Sequence, residues 1–340
     1  MRSRLFILIG IATLSLCLAS CSTVSSTIGN LKPKHVETNV LSGREGANGK
    51  VLAVKIDDTN MAHPQIGIED ADVVYIEQVE GGLTRLAAIF SSRLPTDVGP
   101  IRSARISDIE ILSQYGRVAF AYSGAQKKLL PVIAAANLQN LGAQAQPPTI
   151  YTRDVTRVNP YSMVLRADLL MAKIIEKGYQ VDTAKTVGWS FGKAPDNGVS
   201  TTTATMHWPA ARYRADWSTK DRCWLLFHNS NPNVVRTGKQ LCPTTVVIQL
   251  VTITDSEYHD KVGGVTPFSN TVGSGSGFIL RDGQTFAGTW VRSSAAVGTT
   301  WSDAQGAPIL FAPGQIWVAL TAKAPDFTHP IPQASSSATK

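Results

Sequence analysis

Histidine and cysteine are scarce in this chain, which limits the metal sites and nucleophiles that it can build. The 340 residues include six histidines and four cysteines. No two histidines have the H-x-H or H-x-x-x-H spacing of common zinc sites, so the sequence predicts no metal and no cofactor. Ser103 and Ser123 lie in no G-x-S-x-G elbow, so neither has the setting of a hydrolase nucleophile. The Gly-Ser repeat at 273–277 lacks the lysine of a phosphate loop and predicts a flexible turn.

Long apolar runs are also rare, and the one that stands out is at the N-terminus. Residues 5–19 are apolar and follow Arg2 and Arg4, but they are short for a membrane span, which needs about 20 residues. The run ends in Leu-Ala-Ser-Cys, which resembles a bacterial lipobox. The sequence therefore predicts a signal peptide over residues 1–20 and a lipid-modified Cys21, with an ordinary signal peptide as the alternative. Several acyl chains, palmitate among them, would hold the protein on the extracytoplasmic face of the cell membrane.

The charge excess is mild and the remaining cysteines are few. The formal net charge is +7, and no basic run is interleaved with aromatics, so the sequence predicts no nucleic-acid partner. An anionic cell-wall polymer is a partner that this positive charge suits, although the charge alone does not identify it.

Cys223 and Cys242 would lie in a compartment that permits disulfides, and we expect them to pair. A catalytic thiol is the alternative.

Composition divides the rest of the chain into four parts. Residues 21–48 are polar and predict a tether, and residues 322–340 predict a disordered tail. Residues 49–195 alternate strand and helix signals, which predicts an α/β domain with a mixed sheet and flanking helices. A helix is expected from a capping box of Ser107 and Glu110, and another over residues 166–178, where Leu169, Leu170, Ile174 and Ile175 should share a face. Residues 196–321 show short alternating runs and an Asp-Gly hairpin signal, which predicts a mostly antiparallel β domain.

Three arginines stand out in the segments VEGGLTR and VGPIRSAR. A Gly-Pro corner and a predicted helix N-terminus would bring them together, and guanidinium groups there suit a phosphate, a pyrophosphate or a polymer carboxylate. The predicted ligand-binding residues are Glu80, Gly81, Gly82, Arg85, Arg102, Ser103 and Arg105. The alternative is that nearby acids, such as Asp57 and Asp108, pair with the arginines inside the fold.

The same region supports an enzymatic alternative. Asp57 and Glu77 lie at the ends of predicted strands, where ligands collect in α/β sheets. With Glu80, these carboxylates could hold Mg²⁺ or act as acid and base on a glycan; the competing interpretation is a simple turn.

Six of the seven tryptophans fall in the second half. They are expected mainly in the core, with platforms for sugar rings as the alternative.

The two arginine segments carry a family resemblance. The run from Lys55 to Phe90, followed by GPIRSAR, resembles the YerB-like family of bacterial lipoproteins, a two-part family of unknown function. The Tyr213-Arg214 pair, RDGQTFAGTW and PGQIWV extend the resemblance over nearly the whole mature chain. One departure is His63, where the family usually has arginine. The resemblance implies the two-domain layout and the envelope location, and it implies no reaction.

These observations lead to three functional hypotheses. The first is a membrane-anchored lipoprotein that binds an anionic glycan, a lipid-linked phosphate or an envelope protein through the arginine and Gly-Gly cluster. The second is an enzyme that acts on cell-wall glycan or phosphodiester bonds through Asp57, Glu77 or Glu80. The third is a non-catalytic regulatory partner of wall-synthesis machinery, in which the arginines are internal braces.

Overall fold

The apolar runs of the first half form strands in a mixed sheet. The computed structural model describes residues 36–331. Its first strands are β1 Leu52–Asp57, β2 Val73–Gln78, β3 Thr84–Phe90, β4 Asp97–Val98, β5 Val118–Ala121, β6 Leu138–Asn140, β7 Tyr151–Arg153 and β8 Met163–Arg166. The helices are α1 Ile106–Ser113, α2 Leu130–Ala135 and α3 Ala167–Glu176. Strand β1 is antiparallel to β3 and parallel to β5, which confirms the predicted α/β first half.

The second half consists of strands, as its alternating pattern predicts. They are β9 Val199–Ser200, β10 Thr203–Trp208, β11 Ala211–Ser218, β12 Cys223–His228, β13 Asn231–Pro232, β14 Thr245–Leu250, β15 Ile253–His259, β16 Val265–Ser269, β17 Gly273–Arg281, β18 Gln284–Arg292, β19 Thr300–Ser302, β20 Ile316–Thr321 and β21 Asp326–Thr328. Most neighbours are antiparallel, and Asp282-Gly283 forms the predicted turn between β17 and β18. The mostly antiparallel second half is confirmed.

One eleven-stranded sheet runs through both halves of the chain. Its order is β19-β18-β17-β14-β20-β2-β3-β1-β5-β6, with β9 beside β18. Strand β20 lies between β14 and β2, parallel to both, and all six of its residues are buried. Residues 38–331 therefore lie within one compact unit. Strands from both sides of the predicted boundary near residue 195 therefore share this sheet.

Helix α1 begins differently from the prediction. Arg105 is the N-cap residue, and its backbone N–H donates to Asp108 Oδ2 at 2.7 Å. Ser107 and Glu110 instead accept hydrogen bonds from backbone N–H groups of the second half. The predicted capping box was wrong because these two side chains serve tertiary contacts, which local sequence does not show.

Helix α3 is where the sequence places it, but its buried face is narrower than predicted. Leu170 and Ile174 are buried, whereas Leu169 is 39% and Ile175 is 72% exposed. Adjacent positions on a helix point about 100° apart, so the four residues cannot share one narrow face. The prediction that they do was wrong.

Both ends of the described chain are more ordered than the sequence suggests. Leu41 is fully buried, and Ser42 Oγ donates to Asp72 Oδ1 at 2.6 Å. The predicted tether therefore ends before residue 48. Strand β21 pairs with β10, so the predicted disordered tail does not begin at residue 322. The signal peptide, Cys21 and residues 332–340 lie outside the described residues.

Several other predictions for the second half concern its cysteines and tryptophans. Cys223 and Cys242 form the expected disulfide, with 5.3 Å between their Cα atoms. Five of the second-half tryptophans are buried, namely Trp208, Trp224, Trp290, Trp301 and Trp317. Trp217 is partly exposed and packs on Trp224, so the described tryptophans belong mainly to the core.

None of the helices within residues 36–331 has the length and apolar character to cross a membrane.

Candidate functional site

The three motif arginines line one cavity of about 770 Å³. Arg85 lies in β3, and Arg105 caps the N-terminus of α1. Arg102 lies in the segment just before α1, and its backbone N–H donates to Lys55 O of β1 at 2.8 Å. Glu80 and Ser103 also line the cavity. Five of the seven predicted ligand-binding residues therefore meet at one place.

Two of these arginines are paired with acids. Arg102 Nε lies 2.7 Å from Asp57 Oδ2, and Arg105 Nε lies 2.6 Å from Glu80 Oε1. Glu80 also accepts a hydrogen bond from Thr266 Oγ1 of β16. Burial opposes ionisation of Glu80, but its contacts with Arg105 and Thr266 outweigh that effect and lower the pKa of this carboxyl. The internal-pair alternative is thus correct for Arg102 and Arg105.

Arg85 differs from the other two. Among the described residues it forms no salt bridge, and its Nη1 donates to the carbonyl oxygen of Ser103 at 2.9 Å. Its side chain is buried, with a residue exposure of 9%. Burial and the repulsion of Arg105 and Arg102 lower the pKa of Arg85 to about 9, although Glu80 and Asp57 act in the opposite direction. The guanidinium remains charged at neutral pH, and this charge is only partly compensated.

The rim of the cavity is also basic. It adds Lys127, Lys128 and Lys261, and among the described residues one further acid, Asp260, lines the cavity. Cations therefore outnumber carboxylates around the cavity, even when Asp57 behind Arg102 is counted with the acids. Such an arrangement concentrates anions at its mouth, and the effect weakens as salt rises.

Gly81 and Gly82 do not line the cavity. Their φ angles are 68° and 71°, in the left-handed region that favours glycine. Gly82 O accepts a hydrogen bond from Ala210 N at 2.9 Å, and a Cβ at Gly82 would lie 2.4 Å from Pro209 Cβ. The structure therefore places both glycines in a turn, and Gly82 docks on the hairpin between β10 and β11.

Of the three carboxylates of the enzymatic alternative, Glu80 lines the cavity, whereas Asp57 and Glu77 do not. Glu77 is fully buried and forms an ion pair with Lys55, which also contacts Asp108 Oδ1 at 2.8 Å. Burial and the neighbouring Asp108 raise the pKa of Glu77. Asp57 faces Arg102 and accepts hydrogen bonds from Thr59. Both side chains are thus engaged by cations of the protein itself.

A G-x-S-x-G pentapeptide occupies residues 188–192. No helix follows it, and Phe191 forms an isolated bridge with Phe311. A nucleophile elbow requires a strand, a sharp turn and a helix. Ser190 therefore lacks the setting of a hydrolase nucleophile.

A second polar cluster, of Asp58, His63 and His228, is absent from the sequence predictions. His63 Nε2 lies 3.3 Å from Asp58 Oδ1, and His228 Nε2 lies 3.9 Å from Asp58 Oδ2. The two imidazole rings stack with centroids 4.4 Å apart and planes 15° from parallel. Their positions in the sequence gave no signal, because only the fold brings β12 beside the loop after β1.

The cluster is firmly held at its carboxylate. Tyr213 Oη and Thr84 Oγ1 each donate to Asp58 at 2.6 Å. Burial of Asp58 would raise its pKa, but the two imidazoles and the bond from Thr84 outweigh burial and lower it. Burial lowers the pKa of His228, which Asp58 opposes and His63 reinforces. The pKa values of the Asp58 carboxyl and of the His228 imidazole are thus both lowered, for different reasons.

Comparison with known proteins identifies relatives of this chain. Residues 38–180 match the N-terminal domain of a family described as "Protein of unknown function (DUF3048)", and residues 204–318 match its C-terminal domain. A relative named "Putative lipoprotein YerB", from Bacillus subtilis (strain 168), is 23% identical over 280 residues, which cover 78% of this chain and 80% of the relative. The crystal structure of YerB from Bacillus subtilis has a TM-score of 0.74 at 18% identity and covers 86% of this chain and 99% of that one, so the fold is shared. The chain therefore belongs to the DUF3048 family, as its resemblance to the YerB-like lipoproteins predicts.

Proposed function

We propose that this protein is a lipid-anchored, extracytoplasmic protein that binds an anionic component of the cell envelope in the arginine cavity and catalyses no reaction. The lipobox-like Cys21 and the lipoprotein name of the relative support the anchor. The observation that carries the binding proposal is Arg85, a buried guanidinium without a carboxylate partner among the described residues.

The charge arrangement around Arg85 favours an anion. A buried cation beside two like charges is unfavourable unless an opposite charge approaches it. Phosphate and carboxylate groups present two oxygens at the spacing of a guanidinium fork, so Arg85, Arg102 and Arg105 offer several charge-assisted hydrogen bonds. A volume of about 770 Å³ is typical of cavities that bind small molecules. The ligand would thus be a phosphate, a pyrophosphate or a carboxylate group of a larger envelope molecule.

A non-catalytic regulatory role is the second candidate. The ion pairs of Arg102 with Asp57 and of Arg105 with Glu80 favour it, because paired arginines act as braces and leave less charge for a ligand. In that case the envelope partner would be a protein that contacts another surface. The test below separates the two candidates, since a brace needs no anion.

Replacing Arg85 with glutamine should weaken binding of inorganic pyrophosphate at least tenfold, which is about 1.4 kcal/mol. The reason is that the variant removes the buried guanidinium, which among the three arginines is the one without a carboxylate partner in the described residues. Binding is measured by isothermal titration calorimetry on the full mature chain at low salt. Arg212→Gln is the matched control, because Arg212 is exposed and bonds to Asn229 and Ser230 away from the cavity.

The melting temperature of Arg85→Gln should show whether weaker pyrophosphate binding comes from the missing guanidinium or from a loss of folding. Arg85→Gln also removes a buried charge that the fold tolerates poorly, so we expect its melting temperature to match or exceed that of the parent. Equal pyrophosphate affinity in the parent and Arg85→Gln, or no measurable affinity in the parent, would contradict the binding proposal and leave the regulatory role.

A further inference from the structure

The cluster of Asp58, His63 and His228 lies outside the arginine cavity and has no part in the proposed function. Each residue offers one ligand atom, and the three atoms all lie within 4.8 Å of one another. We propose that this cluster binds a divalent transition-metal ion, for which Zn²⁺ is the suited probe. Two imidazoles and one carboxylate form an open three-ligand set that such ions accept, with a fourth position left for water.

The carboxylate has the surroundings of a metal ligand. Tyr213, Thr84 and Gln65 donate hydrogen bonds to Asp58 and fix its orientation. Outer partners of this kind orient metal-binding side chains and tune their affinity. These bonds fix the Asp58 carboxylate in place in the fold before an ion arrives. A preformed ligand lowers the ordering cost of binding.

One imidazole nitrogen of the cluster has unused bonding capacity. His63 Nε2 is buried and has no hydrogen-bond partner among the described residues, although Asp58 Oδ1 lies 3.3 Å away. Buried polar atoms are normally satisfied by protein, water or an ion. A metal ion between the imidazoles and Asp58 would give this nitrogen its missing partner.

The ring geometry indicates how an ion would enter. A metal lies close to the plane of each imidazole that binds it, whereas the rings of His63 and His228 are stacked and nearly parallel. One ring must therefore turn. The His63 side chain is 16% exposed and the His228 side chain is 6% exposed. The His63 ring therefore has more room to turn, and the ion would enter from its side of the cluster.

A bound ion would join the two parts of the family fold. Asp58 and His63 belong to the stretch that matches the N-terminal domain, and His228 to the stretch that matches the C-terminal domain. An ion that binds the folded chain better than the unfolded chain stabilises it by mass action. Zinc should therefore raise the melting temperature of the whole unit.

The test is a zinc titration of the chelator-treated, full mature chain, by calorimetry and by thermal unfolding. We expect one Zn²⁺ per chain with a dissociation constant at or below the micromolar range, a higher melting temperature with excess zinc, and visible absorption bands with Co²⁺. His63→Asn and His228→Asn should each weaken zinc binding at least tenfold. The control is His207→Asn, because His207 pairs with the exposed Asp326 elsewhere on the fold.

The result that would overturn the proposal is a parent chain that binds no zinc in this range, or a His63→Asn variant that binds it as tightly as the parent. If His228→Asn does not fold, His63→Asn decides alone, because His63 is at the edge of the cluster. Arg85→Gln should bind zinc normally, so failure of the anion proposal and failure of the metal proposal can be told apart.

Discussion

Replacing Lys55 with methionine should lower the free energy of unfolding by about 3–5 kcal/mol. Lys55 is fully buried in β1, and its ammonium group contacts both Glu77 and Asp108. Methionine fills a similar volume but leaves two carboxylates buried without their cation, and removing one partner of a buried pair is far more costly than replacing the whole set. Urea denaturation of both chains at neutral pH measures the difference.

The loss should shrink in acid. Burial and Asp108 already raise the pKa of Glu77, and Lys55 opposes them. A carboxyl whose pKa is higher in the folded state binds its proton more tightly there, so its contribution to stability is present at low pH and is lost as pH rises toward neutrality. Without Lys55 that pKa rises further. The Lys55→Met deficit should therefore be smaller at about pH 5 than at about pH 7.

Glu77→Gln is the matched control for Lys55→Met. It keeps Lys55 paired with Asp108 and removes the excess negative charge of the triad, so its stability should stay within about 1.5 kcal/mol of the parent. A deficit of Lys55→Met that stays the same at both pH values, or one that Glu77→Gln equals, would show that packing and not charge explains the loss.

The second large effect is expected at Gly82. Gly82→Ala should lower the free energy of unfolding by roughly 2–4 kcal/mol, the sum of backbone strain and overpacking. Its φ is 71°, and the added Cβ would meet Pro209 Cβ at 2.4 Å. Pro209 lies in the turn between β10 and β11, so relief requires backbone to move.

Gly81 is a control one residue away. Its φ is 68°, and nothing lies within 4 Å of a Cβ added there. Gly81→Ala should therefore show the strain alone, about 1 kcal/mol. Denaturation curves of the two variants compare them directly. Equal losses would mean that the contact with Pro209 contributes nothing, and that the two glycines are needed only for the turn.

The arginine cavity could be predicted in outline because its parts are close in sequence. Arg102 and Arg105 follow a Gly-Pro corner, and Arg85 follows a glycine pair, so local backbone preferences indicate where each arginine lies. Asp57 was among the candidate acids and does pair with Arg102, but sequence could not show which acid pairs with which arginine, because Arg105 pairs with Glu80 and not with a residue of its own segment. For the same reason the sequence could not show why Gly82 must be glycine, because its contact with Pro209 depends on a distant hairpin.

The histidine cluster could not be predicted for the same physical reason. Asp58 and His63 share a loop, but His228 belongs to a strand of the second half, and spacing rules detect ligands only when one element carries them. The fold class of each half followed from local signals, namely apolar runs and a helical pattern in the first half and alternating short runs in the second. The sheet that the two halves share could not be predicted from the sequence, because the pairing of Val73 with Ile316 reflects packing between remote segments.

Strand β20 has a consequence for how the chain is made. It is among the last strands synthesised, yet it fills the central gap between β14 and β2. Until Ile316–Thr321 emerges, both neighbours keep a bare row of amide and carbonyl groups, which is the feature that lets nascent chains pair with one another. A folding helper that shields those two edges, or rapid delivery of the final segment, would thus decide how much newly made protein reaches its finished form.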